Sequence, residues 1–212
     1  RGHERMSWRM QIPGAHNAMN AATAAALARH LGAQPDVIER SLSCFRGVER
    51  RTQFLGVTRG VRVWDDYGHH PTEVRATLDA LRSFERLDGK ATNGKLVCVF
   101  QPHQHTRTRC LLDEFASAFG HADVVIVPTI YFVRDTEAEK QRVSSADLVD
   151  RLRARGKRAM HLHPFEAIVE QLENVCGEGD TLVVMGAGPV WKVAHDFIHG
   201  GSSTVDTDAC ST

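Results

Sequence analysis

The fold is decided by the run Lys95-Leu96-Val97-Cys98-Val99-Phe100. This run is almost continuously apolar, which is typical of a strand covered on both faces. Further strands are predicted at 53–57, 61–64, 123–127, 158–162 and 181–185. Amphipathic helices are predicted between the later ones, and strands that alternate with helices indicate a parallel sheet with right-handed crossovers. Residues 52–199 are therefore predicted to form an α/β domain, a Rossmann-like, doubly wound, mostly parallel sheet.

The residues on either side of this domain have a different character. Residues 1–51 are predicted to hold a strand at 7–12, an alanine-rich helix at 16–31 and a second helix at 35–45. Residues 200–212 are small and polar, which predicts a disordered tail or a linker. Because the chain opens on arginine rather than methionine, we expect it to be a piece of a longer protein.

Composition excludes several classes of partner. The formal net charge of the 212 residues is zero, which argues against a nucleic acid. No signal peptide is expected, and none of the apolar stretches approaches the roughly 20 residues that span a membrane. Five scattered cysteines without CxxC spacing predict neither a disulfide framework nor a zinc site. These features together indicate a cytoplasmic protein, and they leave its oligomeric state open.

Two loops that follow predicted strands carry the candidate chemistry, because ligands of open parallel sheets bind beyond the carboxyl ends of the strands. Residues 65–73 combine two carboxylates, a phenol and two imidazoles. Residues 101–109 contain His103 and Arg107, and a guanidinium can bind a carboxylate or phosphate through two hydrogen bonds. The alternative for each stretch is an ordinary solvated polar loop. If both are functional, we expect them to converge on one cleft.

Three other patterns in the sequence could indicate a metal site, a phosphate site or a tight turn. Three histidine pairs offer possible zinc ligands, at 69/70, 103/105 and 161/163, but HExxH is absent and no cysteine lies close by. Residues 89–96 resemble a phosphate loop but lack its final Ser or Thr and precede a strand. Residues 186–188, Gly-Ala-Gly, follow a strand and predict a tight turn that lets a ligand or a backbone approach.

The first segment contains a possible nucleotide contact. His16, Asn17 and Asn20 lie close together at the start of the alanine-rich helix, and asparagine can both donate to and accept from an adenine edge. Simple capping of the helix is the alternative. Arg50 and Arg51 follow at the junction of the two segments, where they either reach a nucleotide phosphate or form an ordinary surface pair.

Five stretches in the correct order resemble the Mur ligase family. They are PGAHNAMNA at 13–21, FRGVERR at 45–51, DDYGHHPTEV at 65–74, FQPH at 100–103 and the strand and turn at 180–188. The resemblance covers nearly the whole chain outside the tail. It implies that residues 1–51 end a central ATP-binding domain and that residues 52–199 form the family's C-terminal Rossmann-like domain.

The function implied by this resemblance is an ATP-dependent ligase that joins L-alanine to UDP-N-acetylmuramate through an acyl phosphate, in peptidoglycan precursor synthesis. ATP and Mg²⁺ are implied as well, with the phosphate loop and most Mg²⁺ contacts in an upstream region, so the fragment alone is expected to be inactive. Two alternatives remain: a muramoyl-tripeptide recycling ligase of the same family, and a non-catalytic Rossmann module that binds a nucleotide or an anion.

The resemblance also implies residue roles, although none for a metal and no certain catalytic residue. Contacts to ATP are implied for His16, Asn17, Asn20, Arg51 and Asp66. Contacts to the alanine and muramoyl substrates are implied for Tyr67, His69, His70, His103 and Arg107. The family's QPHRYTR differs here, where Gln104 and His105 replace Arg and Tyr. We expect Asp66→Ala or Arg107→Ala to lower ligase activity sharply with little loss of fold.

Overall fold

The computed structural model describes residues 6–87 and 94–200. In this part of the chain, six strands form one sheet in the order β1-β2-β6-β3-β4-β5. The strands are β1 Gln53–Thr58, β2 Val61–Asp66, β3 Leu96–Phe100, β4 Val124–Val127, β5 Arg158–His161 and β6 Thr181–Met185. The helices are α1 Ala15–His30, α2 Pro35–Cys44, α3 Pro71–Leu87, α4 His105–Cys110, α5 Leu112–Ala118, α6 Glu137–Lys140, α7 Ser145–Ala154, α8 Phe165–Val175 and α9 Trp191–His199.

The sheet has the predicted, mostly parallel character. Neighbouring strands from β2 to β5 pair in parallel, and β1 pairs antiparallel with β2 at one edge. Every residue of the central strands β3 and β6 is buried, as their unbroken apolar sequences predict. Helices α3, α5 and α7 cover one face and α8 and α9 cover the other, so each face has its own apolar core. The predicted fold class is confirmed.

Both helices of the first segment lie within a residue of their predicted bounds. The first two, predicted at 16–31 and 35–45, are observed at Ala15–His30 and Pro35–Cys44. A capping box opens α7, where the backbone N–H and the hydroxyl of Ser144 both donate to Asp147 Oδ2 (2.7 and 2.8 Å). No helix of the described residues is long and apolar enough to cross a membrane.

The strand predicted at residues 7–12 is wrong. The described part of the stretch is irregular, and no strand of residues 6–87 or 94–200 pairs with it. Its polar groups bond to the second helix instead, because Ser7 N donates to Glu39 Oε1 (2.7 Å) and Gln11 Nε2 donates to Ser43 O (2.8 Å). An extended stretch without a neighbouring ladder cannot form a strand.

Two element boundaries also differ from prediction. Asp65 and Asp66 end strand β2 rather than opening the loop after it. The polar stretch 101–109, which is predicted as a loop, is only partly one, because helix α4 begins at His105. The short helix α6 had no counterpart in the prediction. Residues 201–212 of the predicted tail, and residues 89–93 of the loop that resembles a phosphate loop, lie outside the described residues.

Candidate functional site

The carboxyl ends of three adjacent strands form the floor of the site. Asp66, Met185 and Phe100 are paired in register at the ends of β2, β6 and β3. The loops after β2 and β3 are therefore not immediate neighbours, because β6 lies between their strands. They meet across its end all the same, since the His69 and His103 rings lie 5.6 Å apart. The two polar stretches thus border one cleft.

Four rings form a continuous row along this cleft, here called the aromatic row: Tyr67, His69, His103 and Tyr131. Neighbouring ring centroids are 5.5, 5.6 and 5.6 Å apart. Burial lowers the pKa of His103, and the nearby charges of His69 and Arg107 lower it further. His103 therefore favours its neutral imidazole, which keeps one ring nitrogen as a hydrogen-bond acceptor.

Three buried polar atoms near the row have no hydrogen-bond partner among the described residues. They are His103 Nδ1, Arg107 Nη1 and Gln101 Oε1. A buried polar atom without a partner costs about 1 to 3 kcal/mol, so such atoms are uncommon and call for an explanation. For Arg107 and His103, an anionic or polar ligand bound in the cleft would satisfy both groups.

His70 differs from the other predicted substrate contacts. Its side chain is exposed, and Nδ1 accepts a hydrogen bond from Thr72 N (3.3 Å) at the start of α3. His69 lies between Tyr67 and His103, whereas His70 is outside the aromatic row. The backbone N–H groups of His69 and His70 both donate to Glu73 Oε2 (2.9 and 3.1 Å), which fixes the loop to the helix that follows it.

The Gly186–Gly188 turn is a place of close backbone approach. A Cβ at Gly186 would lie 2.8 Å from Gln101 O, and one at Gly188 would lie 2.6 Å from Gln101 Oε1 and 3.0 Å from Tyr131. Gly186 also has φ 146, which L side chains rarely adopt. The predicted tight turn is present, and the groups that approach it belong to the loops after β3 and β4.

Arg50 attaches the junction to the sheet. Its guanidinium donates to Asp65 Oδ2 (3.1 Å), Gly186 O (2.5 Å) and Gly188 O (3.4 Å). Burial raises the pKa of the Asp65 carboxyl, and the Arg50 cation opposes that rise. Arg50 is therefore not part of an ordinary surface pair. Arg51 beside it is more exposed, and its guanidinium lies over the Tyr67 ring at 5.3 Å.

Asp66 joins the same junction to the loop after β2. Its Oδ2 accepts from Thr52 N (2.7 Å) and Thr52 Oγ1 (3.0 Å), and its Oδ1 accepts from Gly68 N (2.6 Å). Asp66 is only 4% exposed. Both lone pairs of Oδ2 are thus used inside the protein, and Oδ1 retains acceptor capacity for a further donor.

A cavity of about 760 Å³ lies between the first two helices and the start of α3. Its size suits a small-molecule ligand. Its walls include apolar residues such as Ile12 and Phe45. All five residues predicted to contact a nucleotide line it, namely His16, Asn17, Asn20, Arg51 and Asp66. Asn17 also makes a local contact, because its amide nitrogen donates to Pro13 O (2.7 Å).

None of the five predicted substrate residues is among those that line this cavity. Asp66 and Glu73 line it, while Tyr67 and His69, which lie between them in the sequence, belong to the aromatic row. The described residues contain no group of three or more His, Cys, Asp or Glu side chains arranged to hold a metal ion.

Sequence reasoning missed the contribution of the loop after β4. Tyr131 ends the aromatic row, and Asp135 hydrogen-bonds to the first residues of α4. The rule that directs attention to the carboxyl ends of parallel strands applies to β4 as well as to β2 and β3. Applied to the residues after Val127, it would have found them.

Comparison with known proteins places these features in a family. The family "Mur ligase, glutamate ligase domain" matches residues 50–188. The UDP-N-acetylmuramate–L-alanine ligase of Lachnospira eligens is 39% identical over 187 residues, which cover 88% of this chain and 39% of that protein. The enzyme of the same name from Solibacter usitatus is 42% identical over 194 residues, covering 90% of this chain and 39% of that protein.

Solved structures give the same answer for the fold. The UDP-N-acetylmuramate–alanine ligase of Thermotoga maritima superposes with a TM-score of 0.75 at 26% identity, covering 94% of this chain and 40% of that one. A MurF ligase of Thermotoga maritima, solved with ADP, superposes with a TM-score of 0.64 at 18% identity, covering 90% of this chain and 39% of that one. The chain thus spans about two fifths of the length of these relatives, and it belongs to the Mur ligase family.

Proposed function

We propose that this chain is the carboxy-terminal part of an ATP-dependent ligase that joins L-alanine to UDP-N-acetylmuramate in peptidoglycan precursor synthesis. Residues 1–51 would end its central ATP-binding domain, and residues 52–199 would form its C-terminal domain. The observation that carries this proposal is the cavity at the junction, because residues from three separate stretches of sequence line it together. The names of the relatives support the choice of L-alanine and UDP-N-acetylmuramate.

In this proposal the cavity receives ATP. Asn17, Asn20 and His16 would lie against the adenine, Asp66 would use the free acceptor capacity of Oδ1 near the ribose, and Arg51 would meet a phosphate. The phosphate loop and most Mg²⁺ ligands would be supplied by a part of the enzyme outside this chain. Mg²⁺ would neutralise phosphate charge there.

The aromatic row would border the reacting end. ATP would transfer its γ-phosphoryl group to the carboxylate of UDP-N-acetylmuramate and leave as ADP, and the amine of L-alanine would attack the resulting acyl phosphate and lose a proton. The tetrahedral intermediate would collapse to the amide and release phosphate. Arg107 and neutral His103 would bind and orient the polar groups of the substrates, and the packed rings would keep water away from the acyl phosphate.

The test is an amino-acid-dependence assay on the enzyme encoded by the complete reading frame. We expect phosphate release from ATP and UDP-N-acetylmuramate to require L-alanine and not to respond to a free tripeptide offered in its place. Release that depends on the tripeptide instead would replace this function with the recycling reaction. Absence of any amino-acid-dependent release would leave only a binding role. The 212-residue chain alone is expected to release no phosphate.

Arg107→Ala is expected to lower kcat/KM of the complete enzyme by roughly 100-fold, the scale of one lost charge-assisted contact in a desolvated site. The melting temperature should hardly change, because Arg107 Nη1 has no protein partner to lose among the described residues. The matched control is Arg109→Ala, two residues further along the same helix, where the side chain is 40% exposed and pairs with Glu139. If steady-state kinetics show a comparable loss of kcat/KM in both variants, Arg107 does not belong to the site.

A further inference from the structure

The segment after β4 runs along the loop that carries His103. Residues 129–135, here called the brace, make three hydrogen bonds to it. Tyr131 N donates to Pro102 O (2.9 Å), Gln104 N donates to Tyr131 O (3.1 Å), and Gln101 Nε2 donates to Thr129 O (3.1 Å). The two segments therefore behave as one layer at the carboxyl edge of the sheet.

Asp135 ends the brace and holds the first turn of α4. Its carboxylate accepts from the backbone N–H of His105, from Thr106 N (3.3 Å) and from Thr106 Oγ1 (2.7 Å). His105 Nδ1 lies 3.4 Å from the same carboxylate. The Asp135 side chain is 1% exposed, so water contributes little to its solvation. Burial disfavours the charged carboxylate, but the hydrogen bonds from Thr106 and His105 outweigh it and lower the pKa of Asp135.

The residue at the start of this helix is strained. Gln104 has φ 71 and ψ 130, a sparsely populated conformation that costs a residue with a Cβ about 1 to 3 kcal/mol. Such a conformation persists only where the surroundings fix it. The brace fixes it from one side through Tyr131 O, and Asp135 fixes the residues that follow. His103 precedes Gln104 directly, and Arg107 follows three residues later, so their directions depend on this turn.

We propose that Asp135 is a positioning residue that sets the directions of His103 and Arg107 by fixing the strained turn at Gln104 and the first turn of α4. This rests on the proposed function, in which those two residues meet the substrates. Asp135 itself need not touch a substrate, because its carboxylate accepts hydrogen bonds from three donors of α4 and has His105 Nδ1 3.4 Å away. The partner of α4 is thus a carboxylate supplied by a loop 30 residues further along the chain.

A double-mutant cycle on the complete enzyme tests the positioning role. Asp135→Asn keeps the size of the side chain but removes its charge and one acceptor oxygen. We expect kcat/KM to fall about tenfold, and Asp135→Asn to cost less in the Arg107→Ala background than in the parent enzyme, because part of its effect acts through Arg107. Losses that simply multiply in the double variant would show independent action and overturn the proposal. Glu137→Gln is the matched control, since the Glu137 side chain is 71% exposed and its carboxylate lies 3.5 Å from Lys140 Nζ.

Hydrogen exchange of the same proteins provides a readout that does not need turnover. Asp135→Asn should speed deuterium uptake in the peptide covering residues 101–110, and Glu137→Gln should not. Unchanged uptake there would overturn the proposal whether or not the enzyme uses L-alanine. An enzyme without L-alanine-dependent activity but with faster uptake would instead contradict the proposed function alone. If Asp135→Asn does not fold, Thr106→Val removes a single donor and should give a smaller change in the same direction.

Discussion

Asp66→Ala is expected to lower the free energy of unfolding by about 3 to 5 kcal/mol, through buried donors left without an acceptor. Three donor groups would lose their partner: Thr52 N, Thr52 Oγ1 and Gly68 N. Thr52 also has φ 45, an unfavourable conformation that Asp66 helps to hold. These hydrogen bonds replace the expectation from sequence that this substitution would leave the fold nearly unchanged.

The same substitution should also lower the activity of the complete enzyme strongly, because it changes the wall of the cavity. Thr52, Asp66 and Arg51 line it together. Equilibrium denaturation in urea measures the stability loss, and nucleotide binding by calorimetry measures the site. Asp66→Asn retains an acceptor oxygen, so its stability and its nucleotide binding should lie between those of the parent protein and those of Asp66→Ala. Asp36→Ala is the control, because that carboxylate is 64% exposed and pairs only with Arg40 in the described chain, so a change under about 0.5 kcal/mol is expected. A similar small change for Asp66→Ala would contradict the structural role.

Gly186→Ala is expected to cost about 3 kcal/mol, from a disfavoured backbone conformation and from overpacking. The new methyl group would lie 2.8 Å from Gln101 O and 3.1 Å from Val190, and the residue would have to keep φ 146. Relief requires the turn after β6 to move away from the loop after β3. That movement would also displace Gly186 O, which accepts from the Arg50 guanidinium (2.5 Å).

The functional consequence should therefore exceed that of a remote destabilising substitution. We expect the complete enzyme with Gly186→Ala to lose most of its kcat/KM even at temperatures where it remains folded. Gly120→Ala is the matched control, because a Cβ there meets no atom within 4 Å and its backbone lies outside the positive-φ region. Kinetics and thermal unfolding of both variants distinguish the cases: equal behaviour would mean that the close approach at Gly186 is tolerated.

The fold follows from the sequence because burial leaves a direct pattern in it. The unbroken apolar runs of β3 and β6 predict strands covered on both faces. Gly186 predicts a tight turn. Each of these signals depends on a few consecutive residues and on their exposure to solvent, so it can be recognised in a short stretch of sequence.

The order of the strands and the partners of the polar groups came only from the tertiary structure. The position of β6 between β2 and β3 depends on contacts between residues far apart in the sequence, and it places Gly186 beside both polar loops. The contact of Arg50 with Gly186 O spans 136 residues, and that of Asp135 with His105 spans 30. The false strand at 7–12 has the same origin, because a strand requires a neighbour that its own sequence does not specify.

The sequence by itself therefore determined the doubly wound domain, its family and the two loops that carry the candidate chemistry. Only the tertiary structure decided that Asp66 and Arg50 hold the junction together, that five scattered residues line one cavity, and that Asp135 holds the start of α4. The physical reason is that apolar burial produces a periodic pattern in a short stretch of sequence. A hydrogen bond depends instead on which distant group the fold brings within about 3 Å.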